Sequence, residues 1–172
     1  VYQLYAWDVP TGELTQLTDR PEGVPFGQLS PDGRYVTFLD DAQGNEIGHY
    51  VRVPFEGGEP QDITPGLPPY SSFDLTVSLA GNRGAFIAAG AQGFQFYCRD
   101  LGPDGTVGEP RLLQESKRLA SGAVLSQGGE IAVVGSTERT RLQHYSLVVF
   151  DAARGARIAE LWDGPESSIR GA

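Results

Sequence analysis

The chain has one cysteine, no methionine and two histidines in 172 residues. It also lacks any apolar run of the length that a membrane-spanning helix needs. Each shortage excludes a class of protein. A single thiol, Cys98, cannot close an internal disulfide, so this is not a small scaffold stapled by bridges. An unpaired cysteine is consistent with a cytoplasmic location. Basic residues are outnumbered, 13 Lys and Arg against 22 Asp and Glu, for a net charge of -9. They are also scattered, so the cationic footprint of a DNA- or RNA-binding protein is missing. No signal-peptide pattern opens the chain. Val1 begins directly on a strand-like run, and the true N-terminus is expected to lie elsewhere.

What is abundant is turn chemistry. Gly (23) and Pro (12) make up about a fifth of the chain, which argues against a helical bundle and for many short strands. An apolar content of 40% excludes wholesale disorder and predicts a soluble globular fold.

The strands are expected to repeat. Ser30-Pro31-Asp32-Gly33, Ser78-Leu79-Ala80-Gly81 and Ser126-Gln127-Gly128-Gly129 share the form Ser-x-x-Gly, each after an aliphatic residue, and are spaced by 48 residues. A second marker ending in Tyr occurs at Leu4-Tyr5, His49-Tyr50, Phe96-Tyr97 and His144-Tyr145, in steps of 45, 47 and 48. Each unit reads as four strands, a to d. They are predicted over 26–30, 35–41, 47–55 and 60–64, then 75–78, 83–89, 95–101 and 110–114, then 123–126, 130–136, 144–152 and 157–162. The first unit supplies only strands c and d, over 2–9 and 13–18. In strand b, Val36-Thr37-Phe38-Leu39, Ala85-Phe86-Ile87-Ala88 and Ile131-Ala132-Val133-Val134 are apolar or nearly so on both alternating faces, so both faces are covered.

Four antiparallel strands per 48 residues with doubly buried centres describe an all-β β-propeller. The chain makes roughly 3.6 such blades, short of the four to eight of a closed propeller. The expected organisation is one partial propeller domain over 1–172, a segment of a seven- or eight-bladed whole. It has a blade remnant at 1–18, blades at 26–64, 75–114 and 123–162, and the start of a crossover at 163–172. Open blade faces in such a segment expose apolar surface and strand edges.

The run from Leu29 through Ser30-Pro31-Asp32-Gly33 to Phe38, with Tyr50-Val51-Arg52-Val53 and Asp62-Ile63-Thr64, resembles the TolB-like, WD-related propeller repeat. More narrowly it resembles the N-terminal propeller of the prolyl oligopeptidase family of serine peptidases, especially acylaminoacyl-peptidase-like members. Only the first Ser-Pro-Asp-Gly is intact; the other two keep the turn glycine and lose Pro and Asp. The resemblance implies a propeller that sits over an α/β-hydrolase domain and restricts substrate access to it. No Gly-x-Ser-x-Gly nucleophile elbow occurs in these residues, so hydrolysis is expected from another part of the polypeptide. The partners so implied are that hydrolase domain, a peptide substrate and the remaining blades. The alternatives are a stand-alone TolB-like propeller that binds protein or peptide without catalysis, and a carbohydrate-active propeller.

Candidate chemistry within the chain is sparse, and no catalytic residue, metal ligand or cofactor site is expected. His49 and His144 take a repeat position that Phe96 fills elsewhere, which points to packing in strand c. Asp40, Asp41, Asn45 and Glu46 lack the spacing of a calcium loop and read as a polar turn, as do Gly57-Gly58 and Pro103-Asp104-Gly105. Cys98, aligned with Val51, reads as a buried small hydrophobe. The b–c turns and d–a crossovers leave one face of each blade and are the longer, more aromatic and more charged loops, at 64–74, 114–121 and 137–143. Tyr70, Phe73, Arg118, Arg139 and Arg141 in them are the candidate partner- or substrate-facing residues.

Overall fold

The computed structural model describes residues 1–41, 44–140 and 143–169, and these form an all-β chain with no helix among them. The chain divides between Ser71 and Ser72 into two compact units.

The first unit begins with a hairpin of β1 (Tyr5–Trp7) and β2 (Leu14–Gln16). A four-stranded antiparallel meander follows, formed in sequence order by β3 (Gln28–Leu29), β4 (Tyr35–Asp40), β5 (His49–Pro54) and β6 (Gln61–Asp62). The hairpin buries Ala6, Leu17 and Val24 with Phe38, Val51 and Val53 of the meander.

The second unit holds two such meanders. One comprises β7 (Leu75–Val77), β8 (Arg83–Gly90), β9 (Gly93–Asp100) and β10 (Arg111–Ser116). The other comprises β11 (Ala120–Leu125), β12 (Ile131–Ser136), β13 (Ser146–Asp151) and β14 (Ala156–Leu161). Their faces meet in one core, where Ala85, Ile87, Phe96 and Cys98 pack against Ala120, Ala132, Val134, Val148, Phe150 and Ala152. Small residues alternate there with large ones, so the sheets interdigitate.

The repeated Ser-x-x-Gly has a physical reason. In each a–b turn the glycine has positive φ, 73° at Gly33, 69° at Gly81 and 82° at Gly129. The serine hydroxyl accepts the amide five residues on, from Tyr35 at 3.0 Å, Arg83 at 3.2 Å and Ile131 at 3.1 Å. What changes is where that hydroxyl donates: to Asp32 in the first turn, to Asn82 in the second and to Glu130 in the third. Pro and Asp are dispensable because an acceptor two residues further along replaces Asp.

The tyrosine marker is out of register. Tyr50 lies opposite Leu39, nine positions after Ser30, whereas Tyr97 lies opposite Phe86, eight after Ser78. Tyr145 precedes β13 altogether. The b–c connections differ in length, from 91–92 between β8 and β9 to 137–145 between β12 and β13, and each shift of one residue turns a side chain to the other sheet face. Pairing therefore aligns Cys98, opposite Ala85, with Arg52, opposite Thr37, and not with Val51. It aligns His49, opposite Asp40, with Ser146, opposite Ser136, and not with His144, which lies ahead of its strand. The crossover expected over 114–121 is mostly strand, leaving 117–119 as connection.

Candidate functional site

Between β10 and the strands β12, β13 and β14 the second unit encloses a groove of about 450 Å³. Leu113, Gln114 and Glu115 form one wall, Val148 and Phe150 the apolar floor, and Ser136, Glu138, Arg139, Arg157 and Glu160 the polar side. At the far end Gly155, with φ 70°, leaves room for the side chain of Arg111: a Cβ there would lie 2.9 Å from its Cδ. The Arg111 guanidinium in turn donates to the Ala152 carbonyl at 2.8 Å.

Glu160 organises the polar side. Its Oε1 accepts the hydroxyl of buried Ser146 at 2.7 Å, and its Oε2 accepts Arg139 at 2.7 Å and Arg157 at 2.6 Å. Partial burial opposes the charged form, but the Ser146 hydroxyl and the two guanidiniums outweigh it and hold the carboxyl below the usual glutamate range. The Arg139 guanidinium also lies 4.1 Å from the Trp162 ring centroid. Glu138 Oε2 accepts the Ser116 hydroxyl at 2.7 Å and the Arg118 amide at 3.2 Å, which ties the b–c loop to the 117–119 crossover. Donors and acceptors over an apolar floor suit this groove for binding, and among the described residues its lining contains neither histidine nor cysteine.

Arg157 and Glu160 escape a sequence reading for a definite reason. Residues three apart in a regular strand face opposite sides, but a bulge between the pairs Phe150 with Arg157 and Val149 with Ala159 leaves Ile158 unpaired and brings both charges to one side. Of the loop residues singled out by sequence, Arg139 lies in the groove and Arg118 is exposed at the crossover beside it. Phe73, 81% exposed, is the second residue of the second unit. Arg141 lies outside the described residues.

Tyr70 departs from expectation. It is 3% exposed and anchors the first unit: its hydroxyl accepts the Tyr50 amide at 3.0 Å and donates to Thr64 Oγ1 at 3.0 Å, and burial pushes the phenol up. Its ring stacks on His49 with centroids 5.8 Å apart, so this aromatic is filled by its own blade and has no face to offer a partner. His49 Nδ1 lies 2.8 Å from Asp62 Oδ2, a partner that sequence did not supply, while its buried Nε2 has no hydrogen-bond partner among the described residues. His144 Nδ1 lies 2.7 Å from the Pro165 carbonyl and pins a loop. The acidic run behaves as a turn: Asp40 pairs with Arg20, Asp41 accepts the amides of Gly44 and Glu46, and Asn45 accepts that of Ile47. Cys98 is fully buried, and that burial pushes its thiol up to about 11.

Four-stranded meander blades packed face to face define a partial β-propeller. Solved propellers are similar to it. TolB from Acinetobacter baumannii matches over 90% of this chain and 36% of its own length, at 18% identity and a TM-score of 0.63. A TolB from Agrobacterium tumefaciens matches over 94% and 62%, at 16% identity and 0.62. The propeller domain of the Trilobed protease of Pyrococcus furiosus matches over 74% and 37%, at 12% identity and 0.52. The chain thus spans roughly a third to three-fifths of these proteins. The likeness shows the propeller fold and does not support the narrower acylaminoacyl-peptidase resemblance. No family model matches the sequence, and no curated protein matches it.

Proposed function

We propose that the chain is a non-catalytic binding portion of a propeller that holds an extended peptide or protein segment in the groove of its second unit. The observation that carries this reading is the groove itself: a concave site of about 450 Å³ with an apolar floor and charged groups ordered by Glu160. Among the described residues the outer strands beside it, β10 and β14, each pair on one side only, which leaves backbone donors and acceptors for an extended segment. Titration calorimetry with short uncharged capped peptides tests it. Saturable binding that disappears in Gln114→Trp, where an indole fills the groove, is the expected result; binding unaffected by that change refutes it.

A second, finer reading has support from the Trilobed protease propeller and from the repeat's resemblance to prolyl oligopeptidases. Here the propeller packs on an α/β-hydrolase domain and gates peptide access. Phe73, Arg118 and Arg139 are then the contact residues, and their alanine variants should change turnover of long peptides more than of short ones when the propeller is joined to such a domain. Unchanged turnover of both, with unchanged domain association, removes this reading.

A further inference from the structure

We infer that the mouth of the groove is a carboxylate subsite, in which Arg139 and Arg157 together hold the C-terminal carboxylate of a bound peptide. This rests on the peptide-binding reading above. Both guanidiniums donate to the same atom, Glu160 Oε2, so they stand side by side. Each carries five N–H donors, and the contact to Glu160 uses one from each. Their side chains are about half exposed, 47% and 53%, so solvent and ligand reach them.

Donor geometry, more than net charge, decides the ligand class. The other two carboxylates lining the groove are engaged: Glu138 by the Ser116 hydroxyl and Arg118 amide, and Glu115 by Lys117 at 3.4 Å. Glu138 keeps its negative charge, because both its partners are neutral, so Arg139 and Arg157 are balanced by Glu138 and Glu160 while Lys117 offsets Glu115. With no surplus charge a dianion such as phosphate would be repelled by Glu160, whereas a planar carboxylate can take spare N–H donors from both guanidiniums. Stacking over Trp162 at 4.1 Å holds the Arg139 plane before the ligand arrives, which lowers the entropy cost of a two-pronged contact. The floor of Val148 and Phe150 beyond the arginines fits the apolar end of a peptide.

Terminal and side-chain carboxylates share this chemistry, and three peptides separate them: acetyl-Ala-Ala-Leu with a free carboxylate, the same peptide as its amide, and acetyl-Ala-Glu-Leu amide. Binding to the whole chain is read from Trp162 fluorescence in a Trp7→Phe background. The free acid should bind about tenfold tighter than its amide, the scale of a paired charge-assisted contact, and the advantage should shrink as salt is raised. Arg157→Ala and Arg139→Ala should each remove most of that advantage, while Arg157→Lys retains part of it. Equal binding of acid and amide overturns the subsite and leaves the groove reading standing; the glutamate peptide matching the free acid overturns the C-terminal assignment; no binding by any peptide removes both.

Discussion

Glu160→Gln tests the packing and the electrostatics of the second unit together. The Ser146 hydroxyl is buried, and its bond to the carboxylate contributes about 1.5 kcal/mol as a charge-assisted contact. The two arginine contacts are worth less despite their short distances, because both guanidiniums are about half exposed; discounted for screening they contribute roughly 0.5 kcal/mol each. Glutamine keeps one acceptor oxygen and turns an amide N–H₂ toward groups that are themselves donors, so about 2 kcal/mol should be lost, or about 4–8 °C in Tm for a chain of this size.

The pH dependence has a definite sign. Glu160 titrates lower in the folded chain than in the unfolded one, so its stabilisation is complete above the unfolded value of about 4.3 and is lost as pH falls through the folded value. The gap between wild type and variant should close in acid. Urea melts followed by Trp162 fluorescence in a Trp7→Phe background measure this locally. A gap at neutral pH within about 0.5 kcal/mol of zero, or one that persists unchanged in acid, refutes the reasoning. The same variant frees the guanidinium donors, so carboxylate affinity should rise while stability falls.

Three further outcomes follow from buried geometry. Cys98, with no exposed surface and a thiol raised to about 11, should resist iodoacetamide in the native chain and react once urea unfolds it; rapid native labelling contradicts its placement. Gly93→Ala should cost more than about 2 kcal/mol, because φ is 102° and the new Cβ would meet the Ser116 carbonyl oxygen at 2.3 Å, whereas Gly33→Ala, at φ 73° in open space, should cost about 1 kcal/mol; urea melts giving equal losses contradict this. Tyr70→Phe should cost about 1–3 kcal/mol by removing the hydroxyl that accepts the Tyr50 amide, read as faster hydrogen exchange at that amide, and unchanged exchange would remove Tyr70's anchoring role.

The sequence displayed what depends on local chemistry and hid what depends on loop length and bulges. Ser30, Ser78 and Ser126 stay in phase because the hydroxyl and the positive-φ glycine serve the same turn each time, and the both-faced apolar strands around Phe38, Phe86 and Val134 followed from that phase. Tyr50, Tyr97 and Tyr145 lie beyond b–c connections of unequal length, so a periodic count across them is not a structural alignment. Tyr70 sits in a Pro-rich loop that reads as surface, but its hydroxyl satisfies a strand amide, and no periodic pattern reveals such an anchor. The pair Arg157 and Glu160 needed the bulge at Ile158, which has no sequence signature here.

The corrected register also aligns two carboxylates. Asp62 lies opposite Val51, and Glu160 opposite Val148, at matching places in their blades. His49 bonds to Asp62 as Ser146 bonds to Glu160, so a carboxylate on strand d holding the first residue of strand c is a structural link in both units. A serine thus fills in the second unit the place that His49 takes in the first. The units differ in what else meets the carboxylate. In the first, the remaining oxygen of Asp62 accepts the amide and hydroxyl of Thr64, and the nearby Arg20 is spent on Asp40, so the link is closed by its own loop. In the second, the bulge and the b–c loop bring Arg157 and Arg139 to Glu160 at the rim of an open groove. The same strand-to-strand link is thus a staple in one unit and the base of the proposed binding groove in the other, and the difference lies in two arginines and one unpaired residue.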